Sequence, residues 1–412
     1  MAMSIIELIF FVYTFLSIYM LSLFVILYLQ SRKEMFSYPK GKVEPVSIVM
    51  PCYNEQKNIG LAIESLLNLK YPKDMLEIII VDDKSTDNSV NIVRNYEKKY
   101  KNVRLIVNKR NSGGAAEPTN IGIKAAKYDY VAVADSDSTP DKDALLKMIG
   151  FLQQDEKVGG VTCSIQVKHR SKLIEKLQAM EYTVIAFTRK LLDTVDSVYV
   201  TPGPFALYKK SVLMEIGLFD VKNMTQDIEI VWRMLKNDYK ARMCLSAKVH
   251  SVAPKTWKGW WKQRIRWNIG GTQTLLKHKS LVLRKGMLGL FIIPIFAISL
   301  FIGLIGLGLF TYLFIRRIMT YYLTIKYSAA VETAIFTFND FNLSLSILNF
   351  FGISLFILGT LFVIMSFTVL KEKELRNNSK FALLIFLTIY LAIYPINLIV
   401  SLYKLTTGKY SW

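Results

Sequence analysis

Apolar stretches bracket a long polar middle. From Ile5 to Leu29 the only charge is Glu7, and since about 20 apolar residues cross a bilayer, this stretch predicts a transmembrane helix. It lacks the basic front and small-x-small cleavage site of a signal peptide, so it reads as a retained anchor. After Lys285, apolar segments at about 287–313, 345–369 and 381–403 are each long enough to span. Between these ends the pattern changes period. Val46–Met50, Leu76–Val81, Val103–Val107 and residues 130–134 are short, β-branched runs that predict buried strands. The helical pattern through Ile63, Leu66 and Leu67, and again over Glu117–Lys127, falls between them. Such alternation implies right-handed βαβ units and a mostly parallel sheet, hence an α/β domain. The division predicted is residues 1–30 as anchor, 45–280 as the α/β domain and 286–412 as a membrane region of about three spans.

Later in the domain, Ser171 to Leu192 predicts a helix that either lies on the inner leaflet or packs in the core, with Leu173, Ile174, Leu177, Ile185 and Leu192 on its apolar side. Thr201-Pro202-Gly203-Pro204 reads as a rigid loop feeding a short strand. A helix opens at Asp227 and runs through Trp232 and Leu235. Trp257 to Trp267 is a further helix, with Gln263, Arg266 and Trp267 on one face by i, i+3, i+4 spacing.

Composition sharpens the membrane reading. At 52% hydrophobic and a mean hydropathy of +0.29, the chain is too apolar for an ordinary soluble enzyme. Most of its net charge of +20 lies in the middle block. Arg32, Lys33, Lys277, Lys279, Arg284 and Lys285 flank the spans, and positive flanks mark the cytoplasmic side, as does the short basic loop Lys371–Lys380. Four spans then leave both termini outside. Arg316 and Arg317 fall on the outer side, against that trend, and a re-entrant or interfacial segment between 316 and 343 would reconcile them. Nucleic acid is not the partner expected, because no aromatic-basic RNA motif or helix-turn-helix pattern appears. Cys52, Cys163 and Cys244 have no metal spacing and read as small apolar residues. His169, His250 and His278 are scattered, which argues against zinc.

The chemistry gathers where strands stop. The run at 130–134 ends in Asp135-Ser136-Asp137, and Leu76–Val81 ends in Asp82-Asp83. In open α/β sheets ligands bind outside the carboxyl ends of the strands, and two close carboxylates are hard ligands for Mg²⁺ or Mn²⁺. Equally, Asp135 and Asp137 could start the helix expected after Pro140, Asp83 could be a turn residue, and Asp227 could be a helix cap. Neither a P-loop nor a dinucleotide-binding glycine pattern follows any of these strands, so phosphates would be held by metal and side chains.

In order, the motifs are Asp82-Asp83, Asp135-x-Asp137, Thr225-x-Asp227 and Gln263-x-x-Arg266-Trp267, with membrane spans after them. This order resembles the membrane-integrated family 2 inverting glycosyltransferases, the group of hyaluronan, chitin, cellulose and poly-N-acetylglucosamine synthases. The resemblance covers about residues 45–275. It implies a GT-A fold, a cytoplasmic catalytic domain at the cell membrane, a nucleotide-sugar donor, a UDP-sugar by preference, and a divalent ion. By the same resemblance Tyr53, Glu55 and Asp83 hold the nucleoside, Asp135 and Asp137 the metal and diphosphate, and Arg266 the diphosphate. Asp227 is the implied base, and Gln263, Trp267 and the loop at Phe205 face the acceptor. Two departures stand out. Gln226 replaces the usual glutamate before the base, and the Asn111–Asn120 stretch lacks the lysine usual there.

Three functions compete on this reading. The first is a polysaccharide synthase that pushes its product through its own spans. The second is an enzyme adding one sugar to a lipid-linked acceptor such as a polyprenyl phosphate. The third, a transporter or receptor, calls for charges within the spans, and between 345 and 403 charges occur only in the loop.

Overall fold

The structure, a computed structural model, describes residues 5–330, 347–371 and 380–410. Its strands are β1 (Val46–Cys52), β2 (Leu76–Asp82), β3 (Val103–Val107), β4 (Tyr130–Ala134), β5 (Thr139–Pro140), β6 (Val158–Val167), β7 (Phe205–Lys209) and β8 (Lys240–Ser251). They form one sheet in the order β3-β2-β1-β4-β7-β6-β8-β5. β3, β2, β1 and β4 run parallel, and β7 is antiparallel to both β4 and β6. Strand order reverses between β1 and β4, the place where an open α/β sheet leaves a crevice. Cys52 pairs with Asp82, so β1 and β2 end level. The loops that follow turn through left-handed residues, Asn54 at φ 54° and Lys84 at φ 63°.

Helices cover both faces of the sheet. α2 (Ile59–Leu67), α3 (Ser89–Lys99) and α5 (Ala144–Gln154) bury Ile63, Val93 and Met148 against one side. α4 (Ala116–Ala125), α6 (Leu173–Asp193), α7 (Lys210–Glu215) and α8 (Gln226–Lys236) bury Ile123, Phe187, Leu213 and Ile230 against the other. Gly122 lets α4 approach closely, since a Cβ there would lie 2.3 Å from Val49.

The remaining helices are α1 (Ile5–Ser31), α9 (Trp257–His278), α10 (Ile293–Ala330), α11 (Ile347–Val369), α12 (Lys380–Ile385) and α13 (Leu391–Thr407). A π-helical turn, Phe386–Tyr390, joins α12 to α13. Among the described residues four helical segments are long and apolar enough to cross a membrane. Two of them, α1 and α11, meet the domain on α6, where Phe187 lies 5.7 Å from Tyr28 of α1 and 5.6 Å from Phe362 of α11, ring centre to ring centre. α6 is therefore an internal layer between sheet and spans, which decides between the two placements expected for it. α10 also differs from expectation: it runs unbroken past Arg316 and Arg317 to Ala330. At 1.5 Å per residue its 38 residues extend about 57 Å, nearly twice a bilayer's hydrocarbon core. The rest of the segment proposed as re-entrant, from 331 to 343, and most of the basic loop at 371–380 lie outside the described residues.

Candidate active site

The tips of β1, β2 and β4 open onto a cavity of about 450 Å³ lined by Tyr53, Glu55, Asp83, Asp135, Asp137 and the Asn111–Ala115 turn. Five residues singled out in the sequence thus meet, although 84 positions separate Tyr53 from Asp137. The walls are built from side chains that answer the loops' own backbone. Asn54 Oδ1 accepts from the Thr86 amide at 2.8 Å, and Asp87 accepts from Gln56 and Ser89 amides at 3.0 and 2.9 Å. Asp83 does the same. Its oxygens accept from Asn108 Nδ2 at 2.8 Å, the Ser112 amide at 2.9 Å and the Ser112 hydroxyl at 2.7 Å. It anchors the glycine turn while still lining the cavity.

Asp135 and Asp137 are treated differently. α5 begins only at Ala144, with Asp143 at its cap position, so neither acid caps that helix. Burial, then Asp137, push the Asp135 carboxyl up to about 7, against the pull of Arg266. Burial also raises Asp137, with the Ser138 hydroxyl at 3.0 Å and Lys168 opposing. Two carboxylates this close raise one another's cost of ionisation, and a divalent cation suits them both. Among the described residues no three His, Cys, Asp or Glu side chains converge on one point. The donor set therefore fits Mg²⁺ or Mn²⁺, which commonly takes one or two protein carboxylates and completes its shell with phosphate and water.

Asp227 of α8 and Arg266 of α9 lie near enough for the charge of each to act on Asp135. Thr225 holds the N-cap position of α8, so Asp227 is not its cap. Burial raises the Asp227 pKa, offset by Arg266 and by Arg189. Two residues on, Glu229 is fully buried but paired: Arg233 Nε lies at 3.0 Å and Lys277 Nζ at 2.7 Å. Against the cost of burial, His278, Arg233 and Lys277 bring its pKa down to about 2.

The remaining residues of the acceptor set divide. Trp267 is partly exposed; the Arg264 guanidinium lies 3.9 Å from its ring centre, and the Tyr182 ring stacks at 6.3 Å. Gln263 Oε1 accepts from Arg264 Nη1 at 2.6 Å. Phe205 is a correction. Its side chain is fully buried in the apolar core of β7, because strand alternation turns it away from the crevice. The loop before it does reach the site: Gly203 backs onto Asp135, and a Cβ there would sit 2.9 Å from Asp135 Oδ1. Gly203, Arg189 and Lys168 were not picked out as site residues. A glycine between two prolines was the available signal for the first, whereas nothing local marks the other two.

Residues 47–217 match the family described as glycosyl transferase family 2. The chain is 32% identical over 320 residues to a poly-β-1,6-N-acetyl-D-glucosamine synthase of Staphylococcus epidermidis, covering 77% of this chain and 75% of that one. The chain belongs to glycosyl transferase family 2. A synthase of the same name from Staphylococcus aureus is 34% identical over 237 residues, 57% of each chain. Among solved structures, the mannosyltransferase of Pyrobaculum calidifontis in complex with GDP-Man and Mn²⁺ superposes with a TM-score of 0.62 at 18% identity, covering 98% of this chain and 100% of that one. The sheet is thus that of a GT-A glycosyltransferase, and with its apolar helices this family 2 enzyme is a membrane protein.

Proposed function

We propose that this enzyme polymerises N-acetylglucosamine, transferring it with inversion from a UDP-activated donor to a growing β-1,6-linked chain that leaves through the enzyme's own spans. The observation that carries the reading is a carboxyl at the start of α8, Asp227, whose charge reaches the Asp135–Asp137 pair at the tip of β4, in a chain similar over three quarters of its length to a synthase of that polymer. The nucleoside occupies the cavity between Tyr53, Glu55 and the turn held by Asp83. Asp135 and Asp137 would hold Mg²⁺ or Mn²⁺, which when bound neutralises the donor's diphosphate. Asp227 takes the proton of the acceptor hydroxyl as its oxygen attacks the anomeric carbon, and the carbon–oxygen bond to the diphosphate breaks on the opposite face. Arg266 faces the charge that develops on the leaving group, and Trp267 with Gln263 supports the acceptor sugar. A desolvated carboxylate is a stronger base than a solvated one, which suits that first step.

The basic flanks at Arg32, Lys33 and Lys277–Lys285 support a cytoplasmic catalytic domain. A cysteine introduced at the exposed Lys98 is then closed to impermeant reagents outside intact cells, and labelling there reverses the orientation. For the activity, purified protein is incubated with UDP-N-acetylglucosamine and Mn²⁺ or Mg²⁺, and the product is sized. A ladder of N-acetylglucosamine polymers lost in excess EDTA supports the reading, and Asp137→Asn should lower metal-dependent donor binding on the order of 10²-fold, the scale of several kcal/mol of ion contact. Full turnover in EDTA overturns the metal assignment. A product carrying a single sugar on a lipid overturns polymerisation.

A further inference from the structure

Beneath Trp267 lies a polar cluster that the transfer reaction does not use. Glu181 of α6 is 8% exposed and Arg264 of α9 is 1% exposed. Arg264 Nη2 donates to Glu181 Oε2, while Tyr390 OH donates to the same oxygen at 2.6 Å and Tyr394 OH donates to Oε1. Arg264 Nε donates to Tyr394 OH at 2.7 Å, and Trp260 Nε1 to Tyr390 OH at 2.6 Å. Both phenols belong to the last membrane span, where the π-helical turn ending at Tyr390 and the i, i+4 spacing to Tyr394 set them on one face. The remaining Arg264 nitrogen holds Gln263, and its guanidinium plane lies against the Trp267 indole.

A buried ion pair contributes little net stability compared with apolar packing, yet it fixes geometry wherever its hydrogen bonds are complete. Apart from its bond to Gln263, the hydrogen bonds of the Arg264 side chain go to other elements: the carboxylate of α6 and a phenol of α13. The group so oriented is the one that touches both Gln263 and Trp267. We infer that Tyr390 and Tyr394 of the last span, acting through Glu181 and Arg264, are positioning residues that set the pose of Gln263 and Trp267 and so couple the membrane helix to acceptor engagement. The inference rests on the reading of Trp267 as the acceptor's platform.

The test uses the full-length protein in detergent, UDP-N-acetylglucosamine and a β-1,6-linked N-acetylglucosamine tetramer. Tyr394→Phe keeps the ring and removes the hydroxyl. It should raise the tetramer's KM roughly fivefold or more and shorten the product, with donor affinity within about twofold, because the lost contact serves the acceptor alone. Trp267→Ala should produce the same pattern, and Tyr394→Phe added to it should change the KM by less than about twofold, since coupled residues are non-additive. Multiplying effects in the double variant overturn the coupling. So does a Tyr394→Phe protein that melts earlier but keeps wild-type KM and product length. If Trp267→Ala leaves both unchanged, the platform reading fails first and the inference falls with it, a result distinct from failure of the tether alone. Should Tyr394→Phe not fold, Tyr390→Phe carries the same expectations, since its ring still stacks on Phe386 at 5.5 Å.

Discussion

The crevice at the strand tips and the cluster under Trp267 both bury charge, and they do so in opposite ways. In the crevice, Asp135, Asp137 and Asp227 all have raised pKa values, with burial the leading cause each time. Arg266, Lys168 and Arg189 lower one or another of them. Under Trp267, Glu181 meets a guanidinium and two phenols, and its charge is answered inside the protein. An unanswered charge is costly to hold and is kept where something from outside will answer it, whereas an answered one holds elements together. Asp227 and Glu229 repeat the contrast two residues apart, one raised and one brought down to about 2.

The sharpest way to break this comparison is to exchange the roles of those two acids. Asp227→Asn should lower transfer by about 10²- to 10⁴-fold, the value of a positioned base, while donor affinity measured by titration calorimetry changes less than about tenfold. A folded variant still transferring at near wild-type rate would falsify the assignment of Asp227.

Gly203→Ala probes whether the unanswered carboxylates need their placement as well as their charge. The added Cβ would press on Asp135 Oδ1 from 2.9 Å, and displacing a reacting group by about 1 Å can cost about 10²-fold. A loss of roughly 10- to 100-fold in kcat/KM with an unchanged melting temperature is expected. Wild-type kinetics would mean that Asp135 can shift freely.

Glu229→Gln should act on stability instead. It keeps the shape of the side chain but removes the charge that Arg233 and Lys277 answer, at a cost of about 1.5–3 kcal/mol for hydrogen bonds to a charged group. Thermal unfolding reads that loss, and transfer per folded molecule should stay within a few-fold of wild type. Abolished transfer in a stable Glu229→Gln protein would reverse the comparison.

The smallest effect concerns pH. Asp227 acts as a base only when ionised, so kcat should rise with pH along a limb whose midpoint lies above the ordinary aspartate range. Arg189 is 5% exposed, its Nε has no hydrogen-bond partner among the described residues, and its charge lowers the Asp227 pKa. Arg189→Met removes that help, so the limb in a pH–rate profile should move to higher pH. A limb that stays in place separates Arg189 from the base.

What the sequence determined by itself was whatever depends on near neighbours along the chain. Strands β1 to β4, the acidic ends of β2 and β4, the N-terminal apolar helix and the three later apolar segments were all legible, because pleat, helix turn and bilayer crossing are periodic or length-limited patterns. The Asp135–Asp137 pair and the Gln263–Trp267 face were legible for the same reason. Tertiary structure alone decided how each charge is answered. Arg233, one helical turn from Glu229, was open to a local reading, but Lys277 lies 48 positions away and pairs with Glu229 alone of the two acids. It likewise turned Phe205 into the core, set Gly203 against Asp135, carried α10 past Arg316, and joined Glu181 to phenols 209 and 213 residues later. Electrostatic compensation and close packing are set by distance in space, and a local pattern of residues carries no record of which distant element will arrive to supply them.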